Sequence, residues 1–261
     1  MSATAFPSTQ PLGAPSEPPP SLPASLTGML PTLGQGRLDT GTHLNELSDS
    51  LMKDLLRFER ASDAHELIEV LAACLRHTQA VAIRVAVSPQ TVVTLSIFPL
   101  DGLVHCPLPM IELMTGDLST LRVLQVAPAA LRTPGSPELA RVGNPTYYTP
   151  LAPLLWAVAL YGARGTLLPE LAGQAAYRVA PGLNLQRLPI PAAMSRCIDR
   201  LRRRSYNLRE IAEWYGIGRD RATRLLNALY LQSGLIVSRA HPAAAGDLWN
   251  REPEADEDSV A

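Results

Sequence analysis

The segment from Pro191 to Val237 constrains the fold most, because its apolar and glycine positions admit one order of elements. Met194, Cys197, Ile198 and Leu201 recur at three- and four-residue steps, the stripe of an amphipathic helix, and Pro191 suits its first turn. After a break at Ser205-Tyr206, Asn207 with Glu210 three residues later has the pattern of a capping box. It opens a short helix with Leu208, Ile211 and Ala212 inward. Gly216 permits a tight, left-handed turn. A third helix is predicted from Arg219 to Leu231, with Ala222, Leu225, Leu226 and Leu229 on one side. Gly234 ends it, and Leu235-Ile236-Val237 is a strand.

That order is the order of a winged helix. Glu210-Ile211-Ala212-Glu213-Trp214-Tyr215-Gly216-Ile217, followed by Arg224-Leu225-Leu226 and Leu229, resemble the helix-turn-helix of IclR-type bacterial regulators. The resemblance covers residues 191–241. Two helices cross closely when a small residue, Ala212, sits at the contact and Gly216 makes the turn, while Ile211, Ile217, Ala222 and Leu225 lock the pair. The resemblance implies that the third helix enters the major groove and reads base edges. Opposite its buried stripe stand Arg224 and Asn227, with Thr223 beside them. Arginine pairs with guanine and asparagine with adenine in bidentate fashion. Arg200, Arg202, Arg203, Arg204 and Arg219 are the candidates for phosphate contact, which supplies salt-sensitive affinity without sequence information. The sequence departs from the family in three ways. One strand follows Gly234 where a full wing needs two, and one extra residue lies between Leu229 and Gly234. Asp220 also meets phosphate repulsion unless it caps the helix or accepts from cytosine.

Charge bears on the partner rather than on the fold. The chain has 23 basic and 24 acidic side chains and a net charge of −1. Residues 191–241 hold ten arginines against Asp199, Glu210, Glu213 and Asp220, so the remainder is net acidic. The expected partner of the basic third is double-stranded DNA. A protein partner is the alternative, since a winged helix also serves as a docking module and a fold does not settle function.

The other residues divide into five stretches. Residues 1–36 contain eight prolines and a single charged side chain, Glu17, and are expected to be a disordered tail. Pro18-Pro19-Pro20 favours polyproline II, though an inert linker is the simpler account. Residues 38–132 are expected to form a small mixed α+β domain that senses a ligand or makes a homodimer. Its helices carry Leu44, Leu47, Leu51, Leu55 and Phe58, then Leu67, Ile68, Leu71 and Leu75 behind a cap at Ser62 or Asp63. Its strands run over 80–87, 91–98, 103–106 and 121–126, with a short helix at 109–114. Residues 133–150 read as a connector. In 151–190, Leu151–Tyr161 is a nearly all-apolar helix, buried or packed between domains. A second short helix to Leu171 and a strand at 177–180 follow it. Residues 242–261 close in Glu252-Pro253-Glu254-Ala255-Asp256-Glu257-Asp258, an acidic tail. The expected class is therefore α+β, with a helical middle segment and a C-terminal winged helix-turn-helix.

No enzyme is expected. Cys106 and His105 are neighbours on a strand and point to opposite faces. Cys74 and His77 share a helix face, but His43, His65 and His241 are scattered, so no metal site is expected. Gly34-Gln35-Gly36 lacks a preceding strand. Gly162 to Gly165, with Arg164, reads as a turn before it reads as an anion site. Trp156, Trp214 and Tyr230 sit beside leucines at helical spacing and read as packing residues. No cofactor is expected. Three dispersed cysteines, no apolar run beyond eight residues and a first basic residue at Arg37 place the chain in the cytoplasm, away from a membrane. The expectation is thus a cytoplasmic, non-enzymatic bacterial regulator that binds DNA, or a signalling adaptor in which the winged helix contacts protein.

Overall fold

The β-branched runs on either side of Ser88-Pro89-Gln90 form the expected hairpin. β1 (Val81–Ser88) and β2 (Thr91–Phe98) pair antiparallel, with Val81 opposite Ile97 and Ser88 opposite Thr91. The computed structural model describes residues 47–61 and 66–247. The expectations for residues 1–36, for a helix cap at Ser62 or Asp63 and for the acidic run at 252–258 fall outside those residues.

β4 (Arg122–Pro128) lies outside β1, β3 (Leu103–His105) outside β2, and β5 (Tyr148–Pro150) outside β3. The result is a five-stranded antiparallel sheet in the order β4-β1-β2-β3-β5. The alternating side chains Val81, Ile83 and Val85, with Leu95 and Ile97, are buried. α1 (Asp49–Ala61) adds Leu51 and Leu55 to the same core. α2 (Leu67–His77) adds Leu67, Ile68 and Leu71, and α3 (Met110–Thr115) adds Leu113.

The expected boundary at 132 is too early. β5 comes from the supposed connector and completes the sheet, and the stretch before it is pinned. The Tyr148 hydroxyl donates to the Arg132 carbonyl at 2.5 Å and accepts from the Gly143 amide at 3.0 Å. A lone bridge also joins Arg132 to Val142. Strand pairing at this range leaves no local periodicity to read.

α4 (Leu151–Tyr161) lies between two layers, touching β3 and α2 on one side and α7 (Gly218–Leu231) on another. Eight of its residues, including Leu154, Trp156 and Leu160, are buried, which is why it is apolar all round. The expected helix ending at Leu171 is absent: residues 162–175 are turn and extended chain.

The C-terminal elements follow the predicted order: α5 (Ala192–Arg203), β7 (Tyr206–Asn207), α6 (Leu208–Ala212), α7 and β8 (Leu235–Ser238). Pro191 is the cap residue of α5, one position earlier than a first-turn proline. The capping box is present: the Asn207 Oδ1 accepts from the Glu210 amide at 2.9 Å, and the Glu210 carboxylate accepts from the Asn207 amide at 2.8 Å. Ile211, Ile217 and Leu225 are buried between α6 and α7, with Ala212 half-buried. Gly216 has φ +76°, a conformation that costs a side chain-bearing residue about 1 kcal/mol or more. Leu225, Leu226 and Leu229 are fully buried, each stabilising by roughly 1.5–3 kcal/mol.

The strand after Gly234 pairs with one from upstream. β6 (Ala176–Val179) lies between β7 and β8, antiparallel to both, with Tyr177 opposite Tyr206 and Val237. A Cβ at Gly234, at the entry to β8, would overlap the end of the Leu183 side chain, which would have to shift to admit it. Residues 242–247, expected as part of the tail, instead form a 3-10 turn whose Ala243 carbonyl accepts from the Asn207 Nδ2 at 3.0 Å.

Candidate functional site

The face of α7 expected to read bases is not open. Asn227 has 0% of its surface exposed and Thr223 3%. The Asn227 carboxamide is spent on residues 166–168: its Oδ1 accepts from the Leu168 amide at 3.0 Å, and its Nδ2 donates to the Thr166 carbonyl at 2.9 Å. Arg224 is held at both ends of its guanidinium. Nη1 donates to the carbonyls of Gly162 at 2.8 Å and Leu160 at 3.3 Å, which are orphaned where α4 ends. Nε donates to both Asp220 carboxylate oxygens at 3.0 Å. Asp220 is therefore the ion-pair partner of Arg224, neither a cap nor a base acceptor. Thr223, Arg224 and Asn227 are corrected from base-reading residues to the polar lining of an internal joint.

Residues 162–171 cover α7 because Arg164 anchors them. Its Nη1 donates to Glu66 at 2.7 Å and to Glu69 at 2.5 Å, and its Nη2 donates to the Leu167 carbonyl at 3.1 Å. Glu69 is buried, and burial pushes its carboxyl above the ordinary value against the pull of Arg164. A second bridge joins the same layers, with Arg76 pairing with Glu170 at 2.6 Å and with Asp54 at 3.4 Å. Arg164 thus serves carboxylates of this chain. The sequence signal for it was weak: one arginine in a glycine turn.

The outer face of α5 is different. Of the five phosphate-contact candidates, Arg203, Arg204 and Arg219 are exposed without a hydrogen-bond or ion-pair partner among the described residues. Arg202 donates to the Leu183 carbonyl at 3.2 Å and faces Asp199 at 3.8 Å. The Arg200 guanidinium lies 5.1 Å from the centre of the Trp214 ring, within cation–π range. Trp214 in turn meets Tyr206 edge-on at 4.8 Å. Between α5 and the α6–α7 turn runs a groove of about 410 Å³, lined by Arg196, Arg200, Arg203, Trp214 and Tyr215 with Cys197 at its base. Tyr215 is 94% exposed. Trp214 packs on Tyr206, as its spacing predicts, and also walls the groove beside Tyr215; the one signal for this in the sequence is an aromatic pair beside a glycine turn.

The remaining candidates are structural. The His77 ring bonds Asp54 at 2.7 Å, while Cys74 is buried and its thiol is pushed up to about 12 by burial. His105 packs against Tyr148 at 4.8 Å, and burial lowers its pKa. Trp156 donates to the Pro189 carbonyl at 3.3 Å. No helix among the described residues is long and apolar enough to cross a membrane. Comparison of the chain with family models, curated proteins and solved structures returns no significant match.

Proposed function

We propose that the chain is a non-enzymatic regulatory adaptor whose C-terminal unit is a winged helix used for protein contact. In this reading β6 supplies the return strand of the wing, and the three-stranded order β7-β6-β8 supports it. The observation that carries it is the placement of Asn227. A reading helix must present its polar face to a groove about 12 Å wide, whereas this carboxamide is fully covered and bonded to residues 166 and 168. Exposing it would strand the amide of the buried Leu168, at roughly 1–3 kcal/mol for the unsatisfied group.

The test is selection of a randomised duplex pool by the full chain at physiological salt. No motif is expected to be enriched, and the wild type and Arg224→Ala are expected to retain the pool equally. Enrichment of one motif, lost in Arg224→Ala while the fold is kept, would overturn the adaptor in favour of a DNA-binding regulator. That second reading retains one support, the exposed arginines Arg203, Arg204 and Arg219, which suit phosphate contact without sequence preference.

A further inference from the structure

The groove between α5 and the α6–α7 turn combines two properties that recognise a short acidic segment. Arg196 and Arg203 reach it without a partner among the described residues, and Arg200 holds its charge over Trp214. Asp199 is the one carboxylate in its lining. The exposed ring of Tyr215 offers apolar surface at one side.

The chain itself carries a segment of the matching charge. Residues 252–258 read Glu-Pro-Glu-Ala-Asp-Glu-Asp, five carboxylates without a basic residue. The last described turn brings the chain beside the groove: the Ala243 carbonyl is bonded to Asn207, and the neighbouring Tyr206 meets Trp214 of the groove wall edge-on. Five residue steps lead from Asp247, where that turn ends, to Glu252, and an extended chain advances about 3.3–3.6 Å per residue, a reach of at most roughly 17 Å.

We propose that this groove is the docking site of the chain's own acidic segment, residues 252–258, which shields the basic face of α5 in the resting protein. The proposal rests on the protein-contact reading of the C-terminal unit and specifies its surface. A tethered segment acts at an effective concentration on the order of millimolar for a short connection, so the free groove is expected to be mostly occupied. Contacts between exposed charges are screened by salt over about 8–10 Å, so the docking is expected to loosen as ionic strength rises.

The test uses a fluorescein-labelled peptide of residues 251–261 as probe, read by anisotropy at low salt. The full wild-type chain is compared with a full chain whose tail carries Glu252→Gln, Glu254→Gln, Asp256→Asn, Glu257→Gln and Asp258→Asn. The neutralised chain is expected to bind the probe at least tenfold more tightly than the wild type. Adding Arg196→Glu and Arg203→Glu is expected to abolish that binding. Tyr215→Ala, a change at an exposed turn, is the second variant should the charge reversals unfold the unit, and it is expected to weaken binding severalfold. Equal binding by wild-type and neutralised chains would overturn the proposal, as would binding indifferent to both groove variants. Tighter binding of a single-stranded oligonucleotide than of the probe would overturn it in favour of a nucleic-acid groove. Failure here leaves the duplex selection result untouched, and an enriched duplex motif would sink the adaptor reading whatever the peptide does.

Discussion

α5 and α7 are the two arginine-bearing helices of one unit, and their polar faces have opposite fates. On α5, Arg196 and Arg203 point to a groove and to solvent. On α7, Thr223 and Asn227 are buried and Arg224 half-buried, and Arg224 and Asn227 are bonded to the backbone of residues 160–168. Helical periodicity identifies a face that must be buried; it does not guarantee that the opposite face is wet. A polar side chain can line a second joint if each of its polar atoms is bonded, and Asn227 meets that condition with one donor and one acceptor bond. α7 is therefore a middle layer, and α5 is the outer one.

The contrast can be broken most forcefully at Arg164→Met. This change leaves the buried Glu69 carboxylate uncompensated, and removing one partner of a buried pair costs about 3–5 kcal/mol. A fall of that size in unfolding free energy from denaturant titration is expected, and an unchanged midpoint would mean that residues 162–171 do not depend on the pair. Asn227→Ala is next, at about 1–3 kcal/mol for a lost bond pair that leaves the buried Leu168 amide dry. The same measurement checks it, together with faster amide exchange at Leu168. Arg224→Ala is expected to cost about 1–3 kcal/mol through the freed carbonyls of Leu160 and Gly162, visible as a lowered Tm. Arg203→Ala on α5 is expected to change stability by no more than about 0.5 kcal/mol; a larger loss would place α5 in an unseen joint of its own.

The smallest effect concerns pH. Burial lowers the pKa of His105 below its ordinary 6.5. The unfolded chain therefore binds this proton first as pH falls, and the stability contributed by neutral His105 is present above 6.5 and lost as pH drops through the lowered value. Wild type minus His105→Gln, followed by Tm at stepped pH, is expected to show that loss beginning near 6.5 and continuing downward.

The elements held by short-range chemistry were legible in the sequence. The hairpin at Ser88-Pro89-Gln90, the capping box of Asn207 and Glu210, the turn at Gly216 and the stripe of α5 each depend on residues within a few positions of one another. The features that escaped depend on distant partners. Nothing local marks Tyr148 as the start of a sheet-edge strand, Ala176–Val179 as a central one, or Arg164 as the anchor that keeps residues 162–175 from continuing as helix. The apolar girth of Leu151–Tyr161 was the one long-range clue in plain view. It announced a helix covered on every side, and the second cover is α7.

The central position of β6 has a consequence for the order of assembly. Ala176–Val179 is synthesised before both of its neighbours, and the last of them, β8, ends at Ser238. On the ribosome this strand waits with both edges unpaired while α5, α6 and α7 are made, a period in which an open edge invites mispairing. A fragment beginning at Pro191 would inherit the reverse problem, since it would hold two outer strands with nothing between them. The unit is thus a clasp closed by the last of its strands to emerge, and its autonomy begins upstream of where its sequence signature begins.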